Sequence, residues 1–319
     1  MNIIHSTFKN ENTVYTVIGD LTLQDSNNNP ALIVLSRGGA PFRKDYFEEL
    51  HRLCFSEILS IEINKIHTDL EELSSSYNRL RFVNIPKVIS VGEALNIAFL
   101  EIKAPYALVV WNDLQIRPHL MTDKIFDRLI KHKELCMVPQ LFNSKEELLP
   151  SFVAPANYKK QLKTLFLTPG GNDFSTLYPF DYIGLYNKDD YIELGGFDVR
   201  FANSYWQRMD FGFRAYMWGK SIRWGRELRF SYMEDSFQED TTLDQEYKLF
   251  YLKNLAVSYQ GDHGIIHMNN LLPFLFGLKG QLYHDWQLFM NTRKWVELYK
   301  YRFMRDSRNV VELWGANNE

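Results

Sequence analysis

Tyr106-Ala107-Leu108-Val109-Val110-Trp111-Asn112-Asp113 opens as an almost unbroken apolar run and closes on two polar side chains. A strand with one wet face carries a polar residue at every second position, so a run without alternation reads as a strand covered on both faces, as in a parallel sheet. The same pattern occurs upstream in Ala31-Leu32-Ile33-Val34-Leu35, which Ser36-Arg37-Gly38-Gly39-Ala40-Pro41 breaks. Between the two runs lie a strand at 57–63, with Glu62 near its end, and another at 81–85. Segment 43–54 places Tyr46, Leu50 and Leu53 at helical spacing, and 91–102 does the same with Ala94, Leu95, Ala98 and Phe99. This alternation of strand and helix predicts a doubly wound α/β sheet. Such sheets bind ligands beyond the carboxyl ends of their strands. That rule singles out Ser36 and Arg37, Glu62, and Asn112 and Asp113.

The rest of the chain divides around this core. Residues 1–29 read as a leader or hairpin ending in the turn-rich Asp25-Ser26-Asn27-Asn28-Asn29-Pro30, residues 30–242 as the main domain, and 243–319 as a helical extension. A net charge of −3 without a long basic run argues against nucleic-acid binding. Cys54 and Cys136 form no CxxC motif, which reads as a reduced, intracellular and cytoplasmic protein. The first residues lack the apolar core of a signal peptide, and no apolar run is long enough to cross a bilayer. The stretch 271–278 is about half a span and contains Pro273. It reads as a buried turn or helix end, with peripheral contact at the inner membrane face as the second reading. An NAD-binding sheet is excluded, because no GxGxxG follows the first apolar strand.

Further motifs follow in order: Gly92-Glu93-Ala94-Leu95-Asn96 on the second helix, Leu114-Gln115-Ile116-Arg117-Pro118 after Asp113, Leu194-Gly195-Gly196-Phe197-Asp198, and Gln207-Arg208-Met209-Asp210-Phe211-Gly212-Phe213-Arg214. Together with Leu35-Ser36-Arg37, Ile61-Glu62-Ile63-Asn64 and Val110-Trp111-Asn112-Asp113, their order over residues 31–225 resembles the family 2 nucleotide-sugar glycosyltransferases of GT-A fold. The resemblance implies a mostly parallel sheet with a Rossmann-like nucleotide-binding half, an acceptor half and C-terminal helices. It implies nucleotide contacts at Ser36, Arg37, Glu62, Asn96, Asn112 and Asp113, and a donor/acceptor loop at Gly195, Gly196 and Asp198. Asp113 would hold Mg²⁺ or Mn²⁺ as the last acid of the DXD motif. Two positions depart from the pattern: Trp111 stands where the first acid belongs, and Arg208 where the catalytic base belongs. Tyr251-Leu252-Lys253-Asn254 resembles a segment of rhamnosyltransferase-like members.

Glycosyl transfer needs the leaving diphosphate neutralised, the acceptor hydroxyl deprotonated and the nucleotide held. Asp113 offers the oxygen ligands a hard cation wants; its other reading is a turn cap. Glu62 meets a base edge or ribose, or is a solvated strand end. Arg37 meets the diphosphate or base, or is a surface charge. Gly195 and Gly196 permit close approach to donor or acceptor, or only a tight turn, and Asp198 serves to fix that loop. Asp210 is either the base, held at a helix opening, or the partner of Arg214 four residues on. Glu234, Asp235, Glu239 and Asp240 read as a solvated loop, with a replacement acid as the second reading. His263 and His267 would share a face of a helix, a minor metal-ligand reading. The expected activity is transfer from a UDP-, GDP- or dTDP-sugar to a glycan or lipid-linked envelope acceptor, with inversion implied by the resemblance. The alternative is a catalytically degenerate nucleotide- or glycan-binding assembly protein.

Overall fold

A computed structural model describes residues 13–20, 29–37, 43–64, 69–158, 161–170, 174–234, 239–241, 245–277 and 281–314. The strands are β1 (Thr16–Ile18), β2 (Ala31–Leu35), β3 (Ile58–Ile63), β4 (Leu80–Ile85), β5 (Tyr106–Trp111), β6 (Leu114–Ile116), β7 (Cys136–Phe142), β8 (Phe152–Tyr158), β9 (Gln161–Leu167), β10 (Gly184–Asn187), β11 (Ile222–Tyr232), β12 (Ser258–Gln260) and β13 (His263–Ile265). The helices are α1 (Arg43–His51), α2 (Leu70–Ser76), α3 (Val91–Glu101), α4 (Asp123–Ile130), α5 (Lys188–Leu194), α6 (Ser204–Met217), α7 (Gln245–Phe250), α8 (Leu271–Gly277), α9 (Leu282–Tyr299) and α10 (Ser307–Glu312).

Among the described residues nine strands form one sheet in the order β1-β4-β3-β2-β5-β10-β7-β11-β6. β4, β3, β2 and β5 run parallel, and every residue of β2 is buried, as its unbroken apolar sequence requires. β10 enters antiparallel between β5 and β7, and β7 pairs parallel with β11. This is a mixed α/β architecture with a mostly parallel sheet in its first half and helices toward the C-terminus. The described part of the leader does not stand apart: β1 pairs antiparallel with β4 at the sheet edge. The remainder of the expected hairpin, 1–12 and 21–28, lies outside the described residues.

Two helices pack closest to the chemistry. α3 is buried from Gly92 to Phe99 and starts at Ser90, whose hydroxyl accepts from Glu93 N. A Cβ on Gly92 would lie 2.4 Å from the Gln207 side chain, so only glycine admits α6 this close. α6 is buried from Tyr205 to Met217 and capped by Asn203, which accepts from the Tyr205 and Trp206 amides. The extension wraps over α6: Tyr251–Leu255 is wound as a π-helix and buries Leu252, Lys253 and Asn254. The extension is not wholly helical, because β12 and β13 pair antiparallel within it. No helix among the described residues is long and apolar enough to cross a membrane.

Candidate functional site

β2 and β5 are neighbours, but the chain leaves β2 toward β3 and β4 before α3 returns it to β5. The strand order therefore reverses between β2 and β5, and their carboxyl ends flank the crevice where such sheets bind ligands. Leu35 pairs with Trp111, which sets Ser36 and Arg37 beside Asn112 and Asp113. Asn112 staples the two ends. Its backbone N–H donates to Leu35 O at 2.9 Å, its Oδ1 accepts from Arg37 N at 3.1 Å, and its Nδ2 donates to Arg37 O at 3.2 Å. With both ends of its amide engaged by backbone, Asn112 shapes the crevice wall.

Arg37 sits at the centre of a charged cluster. Its Nε and Nη2 donate to the two oxygens of Asp113 at 2.7 and 3.2 Å, and Nη2 also donates to Asp181 Oδ2 at 2.8 Å. The guanidinium carbon lies 4.2 Å from the centre of the Trp111 ring and 5.6 Å from that of Tyr232. Trp111 Nε1 donates to the Asp181 carbonyl, and Tyr232 OH to Asp181 Oδ2. Burial pulls the Arg37 pKa down, but Asp113 and Asp181 outweigh it and hold the guanidinium above its ordinary value. Burial pushes the Asp181 carboxyl up, against the pull of Arg37 and Arg208. Asp181 is 1% exposed and, with Tyr182, holds a positive φ of 50° and 64°. Outside glycine that conformation costs about 1–2 kcal/mol per residue. Tyr182 is locked there by donation to Gln207 Oε1 at 2.9 Å and by an edge-on contact with Phe197. Sequence reasoning missed Asp181. The only local mark is an acid between Pro179-Phe180 and Tyr182 ahead of β10, and neither its φ nor its partner is visible there.

The donor set does not fit the divalent cation expected at Asp113. Mg²⁺ and Mn²⁺ bind carboxylate oxygens at about 2.0–2.2 Å. Here both Asp113 oxygens and Asp181 Oδ2 already accept from a guanidinium, and Trp111 supplies no ligand atom. No group of three or more His, Cys, Asp or Glu is placed to hold an ion among the described residues. His263 and His267 do not share a helix: His263 begins β13 beside Asp262, and His267 contacts Gln260 after that strand.

Other expected positions are brought together differently. Glu62 does not open onto the crevice as a solvated strand end; it is fully buried, accepting from Ser60 Oγ at 2.9 Å and Arg43 Nη2 at 3.2 Å. Asn96, expected at the nucleotide, is fully buried in the fold. It donates to Phe197 O at 2.7 Å and accepts from Phe197 N at 2.9 Å and Tyr191 OH at 2.6 Å. It therefore pins the Gly195-Gly196 loop. Gly195 ends α5 with φ 88° and Gly196 follows at 59°, left-handed positions that favour glycine. Asp198 anchors the same loop through Arg200 and Lys253, each at 2.6 Å.

Asp210, expected at the crevice rim, is instead fully buried. Oδ2 accepts from Arg214 at 2.9 Å, and Oδ1 from Lys253 at 2.8 Å and Asn254 at 3.0 Å. The extension closes over it, and the pairing with Arg214 is realised. Arg208 is also fully buried and grips Glu239 with two hydrogen bonds of 2.6 and 2.9 Å. Its guanidinium packs over Tyr178 and Tyr182 at 5.4 and 5.0 Å. Glu239, from the acid-rich stretch, thus pairs with Arg208; Asp235 lies outside the described residues. A concavity of about 500 Å³ lined by Tyr106, Lys133, Asn187 and Lys220 lies at the opposite, amino end of β5. Its Lys220 is already paired with Asp190 and Glu193.

No protein-family model matches the chain. No curated protein matches it in sequence. The chain has the GT-A fold, which a solved structure shares. GalNAc-T7, solved with UDP, GalNAc and Mn²⁺, superposes with a TM-score of 0.54 at 11% identity, over 86% of this chain and 57% of its own. The chain therefore spans little more than half the length of that enzyme. Residues 1–349 of S. aureus TarS, solved with UDP-GlcNAc, give a TM-score of 0.48 at 10% identity, over 83% of this chain and 72% of theirs.

Proposed function

We propose that the chain is a glycosyltransferase of the family 2 type, taking its sugar from a nucleoside-diphosphate donor held at the β2–β5 crevice. The observation that carries this reading is the placement of a fixed cationic side chain, Arg37, at the strand-order reversal of a GT-A sheet. Arg37 is aimed by Asp113, Asp181 and Trp111, and its Nη1 finds no hydrogen-bond partner among the described residues. A guanidinium edge so presented suits a phosphate oxygen. Ser36 lies beside it, and the loop pinned by Asn96 follows on the acceptor side. In the reaction the bond from the anomeric carbon to the β-phosphate oxygen breaks with its electron pair on the phosphate. A bond to the acceptor oxygen forms, and the hydroxyl proton passes to water or to the departing nucleoside diphosphate. An inverting course, a glycan or lipid-linked envelope acceptor and a cytoplasmic setting belong to the same proposal. The exposed Leu272, Phe276, Tyr283 and Trp286 of α8 and α9 are compatible with an acceptor carried at a lipid surface.

The test is thermal shift with UDP, GDP and dTDP, followed by sugar release from the matching donors. A ligand at about a hundred times its Kd adds roughly 2.7 kcal/mol of stability. The expected result is a shift with one nucleoside diphosphate and slow hydrolysis of its sugar. Absence of a shift with all three would remove the reading. A second reading, a nucleotide- or glycan-binding protein without turnover, is favoured by one observation. Arg208 is locked to Glu239 and Asp210 is enclosed, so the expected base motif presents no carboxylate to the crevice. A shift without sugar release or transfer selects that second reading.

A further inference from the structure

We infer that Arg37 takes the place of a divalent cation at the donor diphosphate, so that nucleotide binding by this chain is independent of metal. The inference rests on the donor reading above. Its first support is spatial: the guanidinium spans Asp113 and Asp181, the carboxylates that an ion would need, and engages both Asp113 oxygens. An ion could enter only by displacing a cation already bonded to three oxygens, and would then feel its repulsion.

The second support is chemical. The residue under the guanidinium is Trp111, at 4.2 Å. An indole offers no ligand atom to Mg²⁺ or Mn²⁺, whereas its π face attracts a guanidinium and holds it flat. Trp111 also donates to the Asp181 backbone, which positions the second carboxylate. The departure from the DXD pattern and the arginine are therefore one device: an acid that would serve a metal is replaced by a ring that serves an arginine. The third support is the state of the donors. Nε and Nη2 are spent on the carboxylates, Nη1 meets no hydrogen-bond partner among the described residues, and the Arg37 side chain remains 25% exposed. Counted as formal charges, Arg37 against Asp113 and Asp181 leaves the cluster at −1, and burial pushes the Asp181 carboxyl up. At this cluster the diphosphate would meet Arg37 as a directed donor.

The experiment titrates UDP, GDP and dTDP into the full chain by calorimetry, once in EDTA and once in excess Mn²⁺, and follows Mn²⁺ itself by electron paramagnetic resonance. The expected result is binding in EDTA, with a Kd that Mn²⁺ changes by no more than about twofold, and an unbroadened free-Mn²⁺ signal. Arg37→Met weakens the diphosphate by on the order of tenfold to a hundredfold while binding of the corresponding nucleoside is unchanged. Arg37→Lys recovers part of the loss. Binding that appears only with Mn²⁺ overturns the inference and leaves the donor reading standing. No binding under either condition overturns both. Equal losses of diphosphate and nucleoside in Arg37→Met assign Arg37 to the fold and also overturn it. If Arg37→Met fails to fold, the two titrations of the unaltered chain and the resonance signal decide alone.

Discussion

Replacing Asp210 by Asn separates a structural acid from a catalytic one. Asp210 belongs to a cluster of the buried Asp198, Asp210, Lys253 and Arg214 with the exposed Arg200 at its edge, three cations against two carboxylates, a net charge of +1. Asp210→Asn raises that to +2 while keeping the volume, and leaves Lys253 to Asp198 alone. Lys253 is fully buried, so the lost attraction is not screened by water. Breaking a buried pair by removing one partner costs about 3–5 kcal/mol. For a chain of this length each kcal/mol lowers Tm by roughly 2 °C, so the expected fall is about 6–10 °C. Calorimetric melting of wild type and Asp210→Asn reads this directly. Sugar release at 25 °C, well below the transition, should be nearly unchanged per folded molecule. The reasoning is refuted if Asp210→Asn melts with wild type, and doubly so if its turnover falls by orders of magnitude at unchanged Tm, because the carboxylate would then be reaching the acceptor.

The acid limb of stability should carry the same signature. Burial raises the pKa of Asp198 and Asp210, but Lys253, Arg200 and Arg214 outweigh it and hold both below the ordinary 3.8. Their contribution is therefore full above that value and lost as pH falls below it; a denaturation series from pH 7 downward should steepen there, and less so in Asp210→Asn. Asn96→Ala strands the Phe197 N–H and C=O in the interior, at about 1–3 kcal/mol for each unpaired group. Urea unfolding should show that loss with the nucleotide Kd unchanged, and a Kd shift at unchanged stability would return Asn96 to the nucleotide. Glu239→Gln removes the carboxylate that the buried Arg208 guanidinium meets with two hydrogen bonds. A loss of about 3–5 kcal/mol is expected, and a variant as stable as wild type would show that the loop does not hold Arg208 in solution.

What could be read in the sequence was whatever repeats at short range. Unbroken apolar runs placed β2 and β5, where burial on both faces leaves no room for alternation, and the apolar-rich stretches between them placed β3 and β4, all within a residue or so at each end. The same runs located the carboxyl ends and hence Ser36, Arg37, Asn112 and Asp113, since a polar residue ends a buried strand where it reaches the crevice. Gly195 and Gly196 marked a turn because only glycine takes successive positive φ angles cheaply. Tertiary structure alone decided what the charges do. Arg37 meets Asp181 across 144 residues of chain, and Arg208 meets Glu239 across 31. Neither pairing leaves a local period, because an ion pair is chosen by proximity after folding. Asp210 shows the limit best: its partner Arg214 was visible one helical turn away. Its enclosure depends on Lys253 and Asn254, which the extension brings back over α6. Whether a carboxylate faces a ligand or the interior is a matter of what packs over it, and that is settled only when the last segment of the chain docks.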